Sequence, residues 1–156
     1  MGTKRVGWAR IRSLINENGN QLAIPRVLQQ SSSQIHTLTA DDSGKSFYLA
    51  DKFAITLPAA AAGLEFNFVL KEDIAHTSHG NIDCAGSDEF VGSIAATVVA
   101  SHSKPHYADA STNYTKIQAG QNKAKAGDWI TLEAIGAGFW YVRAHSSGSN
   151  GVYFVT

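Results

Sequence analysis

The 156-residue chain predicts an all-β domain, an antiparallel β-sandwich or jelly-roll-like barrel, with a short N-terminal helical arm. Three observations predict it. From residue 35 onward, apolar and polar residues alternate over short runs, the period of a half-buried strand. Turn residues rich in Gly, Asp and Ser separate those runs. No strand–helix–strand alternation interrupts them, which separates a sandwich or barrel from a parallel α/β sheet.

The chain divides at residue 34. Residues 1–34 read as a basic arm and 35–156 as the β-domain. Within the arm, Trp8, Ile11, Leu14 and Ile15 recur at spacings of three and four, which predicts one amphipathic helix over 4–18. Lys4, Arg5, Arg10 and Arg12 lie mainly off that face, and Gly19 is a natural stop. Such a short helix is marginal alone, because nucleation is costly, so it needs a surface to pack on. That surface is either its own β-domain or a partner chain. Residues 19–34 are rich in Gln, Asn and Ser and read as a linker, with Pro25 blocking a continuous helix.

In the β-domain, Ile35 to Ala40 starts strand-like and Asp41-Asp42-Ser43-Gly44 is a turn. Ser46–Leu49 and Phe53–Leu57 are short strands, the second stopped by Pro58. Leu64–Leu70 carries the clearest signal: Leu64, Phe66, Phe68 and Leu70 on one face, Glu65, Asn67 and Val69 on the other. Asn81–Cys84, Phe90–Ile94, Thr97–Ser101 and Tyr114–Gln118 are weaker candidates, and 102–115 reads as a loop. Trp129–Ile135, Phe139–His145 and Val152–Thr156 close the chain as strands.

Charge narrows the partners. Thirteen basic and thirteen acidic side chains cancel. Yet residues 1–30 hold Lys4, Arg5, Arg10, Arg12 and Arg26 against Glu17 alone, a net +4, which leaves −4 for the rest. A basic arm on an acidic body docks on something acidic. The excess is too small, and too poor in interleaved aromatics, to predict direct nucleic-acid binding. No membrane span is expected: the most apolar stretch, Phe53–Leu70, is broken by Thr56, Pro58, Gly63, Glu65 and Asn67. The basic start is not followed by the apolar run of a secretory signal.

The search for catalysis and cofactors yields no motif. His76/His79 and His102/His106 sit on no helix and lack the Glu of a zinc-protease signature, so they read as loop histidines and no metal is expected. No Gly-x-Ser-x-Gly elbow supports a serine nucleophile. Cys84, beside Asp83, has no electropositive neighbour and reads as buried and inert. Asp41-Asp42 and Asp88-Glu89 fit turn capping better than calcium binding. Gly136-Ala137-Gly138 lacks the third glycine and helix of a dinucleotide site. Trp129, Phe139, Trp140, Tyr141, Tyr153 and Phe154 could build a glycan platform, but alternation sends at least half of them inward.

The segments Leu38–Phe47, Ile55-Thr56-Leu57-Pro58-Ala59 and Gly63–Val69 resemble a pattern in tailed-phage virion proteins, as does Gly127-Asp128-Trp129-Ile130 with Phe139–Val142. Residues Thr3–Arg10 look like the start of small head proteins from marine and cyanobacterial phages. The resemblance implies a non-enzymatic β-domain on a virion, a unit found in capsid decoration proteins and in tail-fibre domains alike; the preferred reading is a capsid decoration (cement) protein. It would be made in the host cytoplasm, sit on the capsid surface as a dimer or trimer, and bind across subunits of the major capsid protein. Lys4, Arg5, Trp8, Arg10, Ile11, Arg12, Leu14 and Ile15 would then form the partner-binding arm. The alternative is a tail or head-fibre β-domain that binds a host surface glycan.

Overall fold

In a computed structural model, residues 28–29, 35–75, 79–97 and 106–156 are described. The expected helix over 4–18, and every arm residue named above, lies outside them. The strands are β1 (Leu28–Gln29), β2 (Ile35–Thr37), β3 (Ser46–Leu49), β4 (Ala54–Thr56), β5 (Glu65–Leu70) and β6 (Gly80–Asp83). They continue with β7 (Glu89–Ala96), β8 (His106–Ala108), β9 (Lys116–Ala119), β10 (Trp129–Gly136), β11 (Phe139–Ser146) and β12 (Val152–Val155). Among the described residues a single 3-10 turn spans Ala40–Asp42. The strands form a sandwich of two sheets. Sheet A has the order β1-β3-β5-β10-β11-β7-β8 and sheet B the order β12-β9-β6-β4-β2.

The all-β sandwich follows the sequence reading; the strand directions are more varied than an antiparallel one. Five of the ten pairings among described residues are parallel. The cause is the route of the chain. From β1 to β6 each strand passes to the opposite sheet, so the chain returns to a given sheet after two reversals and runs the same way again. The result is a coil. Leu28, Phe47 and Phe68 stand in register in sheet A, and His36, Ile55 and Ile82 in sheet B. The turn at 41–44 therefore crosses the sandwich; it does not fold back a hairpin.

Beyond shifts of one to three residues at strand ends, four elements differ from expectation. Leu28–Gln29, within the expected linker, pairs with β3. Residues 89–96 form one long strand, and Thr97, expected to open the next, is irregular. His106–Ala108 falls in the expected loop yet pairs with β7. The stretch Ala40–Asp42 is a 3-10 turn, closed by Asp42, whose carboxylate accepts the Thr39 N–H and hydroxyl, each at 3.0 Å.

Alternation drives the packing. In β5 every second residue is buried, placing Phe66, Phe68 and Leu70 inside, and β10 and β11 follow the same rule with Ile130, Leu132, Trp140 and Val142. Phe47 stacks on Phe68 at 5.2 Å between ring centroids, and Phe66 tilts against Trp140 at 5.5 Å. Burying each such ring contributes about 2–3 kcal/mol. The β10–β11 hairpin occupies the centre of sheet A, antiparallel to β5 on one side and parallel to β7 on the other. On β7, Gly92 has φ +134, and a Cβ there would lie 2.3 Å from the Val142 carbonyl oxygen. Only glycine permits that approach.

Candidate interaction surface

The strand register lines up the outward residues of sheet A in rows. One row reads Tyr48, Val69, Trp129, His145 and Ala95 across five strands. The next reads Ser46, Asn67, Thr131, Arg143, Ser93 and Tyr107. The third reads Glu65, Glu133, Tyr141 and Val91, and beyond it stand Ile135 and Phe139. Neighbours in a row are about 4.8 Å apart and rows about 6.8 Å apart, so these side chains share one continuous surface.

That surface is rich in large rings. Trp129 is 41 % exposed, Tyr141 38 %, Phe139 37 % and Tyr48 36 %. Trp129 stacks on His145 with centroids 6.5 Å apart and planes 17° from parallel. A His145 ring nitrogen in turn lies 2.7 Å from the Thr97 hydroxyl. Arg143 reaches Glu133 at 3.5 Å, and Thr131 donates to Asn67 at 2.9 Å. Trp, Tyr and Arg are the residues that most often dominate protein–protein contacts: Trp and Tyr offer large area and a polar handle with few rotatable bonds, and Arg a planar fork of donors. The face thus combines exposed rings and polar groups on one continuous surface.

Charge is unevenly placed on the sandwich. One end gathers the loops 38–45, 57–64, 84–88 and 109–115 with the β10–β11 turn. It carries Asp41, Asp42, Glu65, Asp83, Asp88, Glu89 and Asp109 against Lys45 and Lys116. Both lysines are already paired, with Asp42 and with Asp83. The body's excess of negative charge therefore sits at this end. The opposite end holds a groove of about 530 Å³ lined by His79, Gly120, Gln121, Lys123, Asn150 and Tyr153.

The other candidates take structural roles. Asp88 accepts the Ala60 N–H at 2.7 Å, so it and Asp42 tie down loops, as turn capping requires. Cys84 is half-buried; burial first, then the nearby Asp88, Asp83 and Glu89, push its thiol well above the ordinary range. Its thiolate, the reactive form, is therefore scarce. His79 is exposed, and His106 belongs to β8. His76 and His102 lie outside the described residues. Among the described residues no three His, Cys, Asp or Glu side chains converge on a metal-sized site. Of the six aromatics singled out from the sequence, Trp140 and Phe154 are core, Tyr153 lines the groove, and Trp129, Phe139 and Tyr141 share the outer face.

Val69 was placed on the face opposite the core with Glu65 and Asn67; Tyr48 and Ile135 were not singled out from the sequence, although a signal existed for Ile135. Thr131 and Glu133 have the same parity as Trp129, and Arg143 the same parity as Tyr141 and Phe139. Strand parity with a charged residue marks an outward side chain.

No family model, curated protein or solved structure matches the chain.

Proposed function

We propose that the chain is a non-enzymatic structural module of a tailed-phage virion, a capsid decoration (cement) protein. It binds across subunits of the major capsid protein and stabilises the head shell. The observation that carries this reading is the outer face of sheet A, where Trp129, Tyr141, Tyr48 and Arg143 stand together on a broad, rigid surface. A shell protein repeats its contacts over many sites, so a modest interface per copy suffices. The basic arm, with Lys4, Arg5, Arg10 and Arg12 around Trp8, Ile11, Leu14 and Ile15, adds a second grip on acidic shell residues. Self-association as a dimer or trimer fits the symmetry of a shell.

Two measurements test this reading. Quantitative mass spectrometry of purified particles gives the copy number, expected to scale with the major capsid protein. Incorporation of a chain lacking residues 2–26, which keeps β1, is expected to fall. A copy number that matches tail components refutes the cement role; normal occupancy without the arm refutes the arm's part in it.

The same exposed rings favour one other reading, a tail or head-fibre domain that binds a host glycan. Sugar faces stack on flat aromatics, and Trp129 and Tyr141 are rings more than a third exposed. Binding on a glycan array, together with a low copy number, would decide for it.

A further inference from the structure

We infer that the groove at the end of the sandwich away from the acids is a binding site for a carboxylated sugar, held among Gln121, Lys123, Asn150 and Tyr153. The site stands apart from the outer face of sheet A and does not depend on the role proposed for that face.

The lining is the first argument. At about 530 Å³ the groove falls within the roughly 300–1,000 Å³ of small-molecule sites. Every side chain that lines it, from His79 and Gln121 to Lys123, Asn150 and Tyr153, carries a polar group. An apolar ligand would strand those groups without partners, so the site suits a polar one. The carboxamides of Gln121 and Asn150 each carry donors and an acceptor together, and neighbouring hydroxyls on a sugar ring present the same pairing in return. The Tyr153 ring adds flat apolar area for the C–H groups of such a ring.

Charge is the second argument. Lys45, Lys116 and Lys125 are paired with Asp42, Asp83 and Asp73. Lys123 is exposed and pairs with no carboxylate among the described residues, and no described acid lines the groove. A carboxylate on the ligand therefore meets an ammonium that nothing else has neutralised.

Rigidity is the third. The two walls, 120–124 and 148–151, pack backbone to backbone. A Cβ on Gly120 would lie 2.5 Å from the Asn150 carbonyl oxygen, and one on Gly148 would lie 2.5 Å from that of Lys123. Loop 120–124 is also tied to Ile74, whose carbonyl accepts the Asn122 N–H and whose N–H donates to Ala124, each at 3.1 Å. Across β12, β9 and β6, the Tyr153 hydroxyl donates to Gln118, and the Gln118 amide donates to Asn81 at 2.9 Å. A site held in this way loses little freedom when it binds. The same bonds disfavour a phosphate ligand. The N–H groups of Gly120, Asn122, Lys123, Ala124 and Gly151 all donate within the protein, which leaves these loops no nest of amides for a phosphoryl group.

The test titrates the full-length, isotope-labelled protein with glucuronic acid, glucose, acetate and inorganic phosphate, read by amide NMR shifts. The expected result is that glucuronic acid moves the amides of residues 79–81, 118–123 and 150–153. It should bind about 5-fold more tightly than glucose. Lys123→Ala, a change at an exposed side chain, should erase that preference and leave glucose binding as it was. A protein carrying Trp129→Ala and Tyr141→Ala should bind both sugars like wild type, which separates this site from the rings on sheet A. The inference is overturned if neither sugar shifts these amides, or if the shifts are confined to the strands around Trp129 and Tyr141. It is overturned equally if acetate or phosphate binds as tightly as glucuronic acid, since charge alone would then explain the binding. A preference for glucuronic acid that survives Lys123→Ala removes the lysine from the site and has the same effect.

Discussion

The carboxylate of Asp128, fully enclosed, accepts both the backbone N–H of Ser147 at 2.6 Å and its hydroxyl at 2.7 Å. The other oxygen accepts the Lys125 N–H at 3.0 Å. One side chain thus holds the turn before β10 against the turn after β11. Asp128→Asn is nearly isosteric, yet in either orientation its NH2 faces a backbone N–H. Leaving buried donors unmet costs about 2–4 kcal/mol. Urea denaturation of the variant should show that loss, and an unchanged midpoint would refute the role.

Gly92→Ala should destabilise the sandwich by about 3 kcal/mol, from a strained positive φ and a Cβ driven into the Val142 carbonyl. The damage is local to the β7–β11 pairing. Amide exchange should therefore accelerate along β7 and β8 before it does in sheet B.

Asp42 gives a pH-dependent test. Burial alone would raise its carboxyl, but the bonds from Lys45 and from the Thr39 N–H and hydroxyl outweigh that and hold it below the ordinary value. A depressed folded value means stability that is present above the unfolded value, near 3.9, and lost as pH falls through the folded one. Asp42→Ala should cost about 1 kcal/mol at neutral pH. The gap from wild type should close below the ordinary carboxylate range. A gap that persists to strongly acidic pH would contradict this origin.

The Cys84 thiol should react sluggishly with a disulfide reagent at mildly alkaline pH in the native protein. Burial and three nearby carboxylates disfavour its thiolate. Reaction should become rapid in denaturant. Fast labelling of the folded chain would show that the site opens.

Replacing Trp129 and Tyr141 together by Ala removes two exposed rings without opening the core. Stability should change by less than about 1 kcal/mol, whereas affinity for undecorated particles should fall by about 100-fold. Isothermal titration against purified shells reads the second, thermal melting the first. Undiminished affinity would move the contact elsewhere.

Much of this fold was legible in the chain because burial has period two. Phe66, Phe68 and Leu70 could be assigned inward from spacing alone, and β10, β11 and β12 were found near their bounds. Strand order was not legible. The residues Asp42-Ser43-Gly44 announce a reversal but do not say whether the chain returns in the same sheet or crosses to the other, and here it crosses. Strands as short as Leu28–Gln29 and His106–Ala108 carry too few residues for any periodicity; their partners define them. The outer face was half legible. Parity showed that adjacent rings such as Trp140 and Tyr141 part ways, but placing Tyr48 in one row with Trp129 needed the register through Val69.

The placement of the β10–β11 hairpin at the centre of sheet A has a consequence for how the protein is made. On a ribosome, β5 and β7 emerge long before the hairpin that joins them. Until residue 146 has left the exit tunnel, each keeps an open inner edge, with Phe66, Phe68 and Phe90 lacking the covering they have in the finished core. Open edges of that kind invite pairing with other chains. A premature stop anywhere before the hairpin would therefore yield a sticky fragment in place of a smaller working domain, and the nascent chain depends on its last strands arriving promptly.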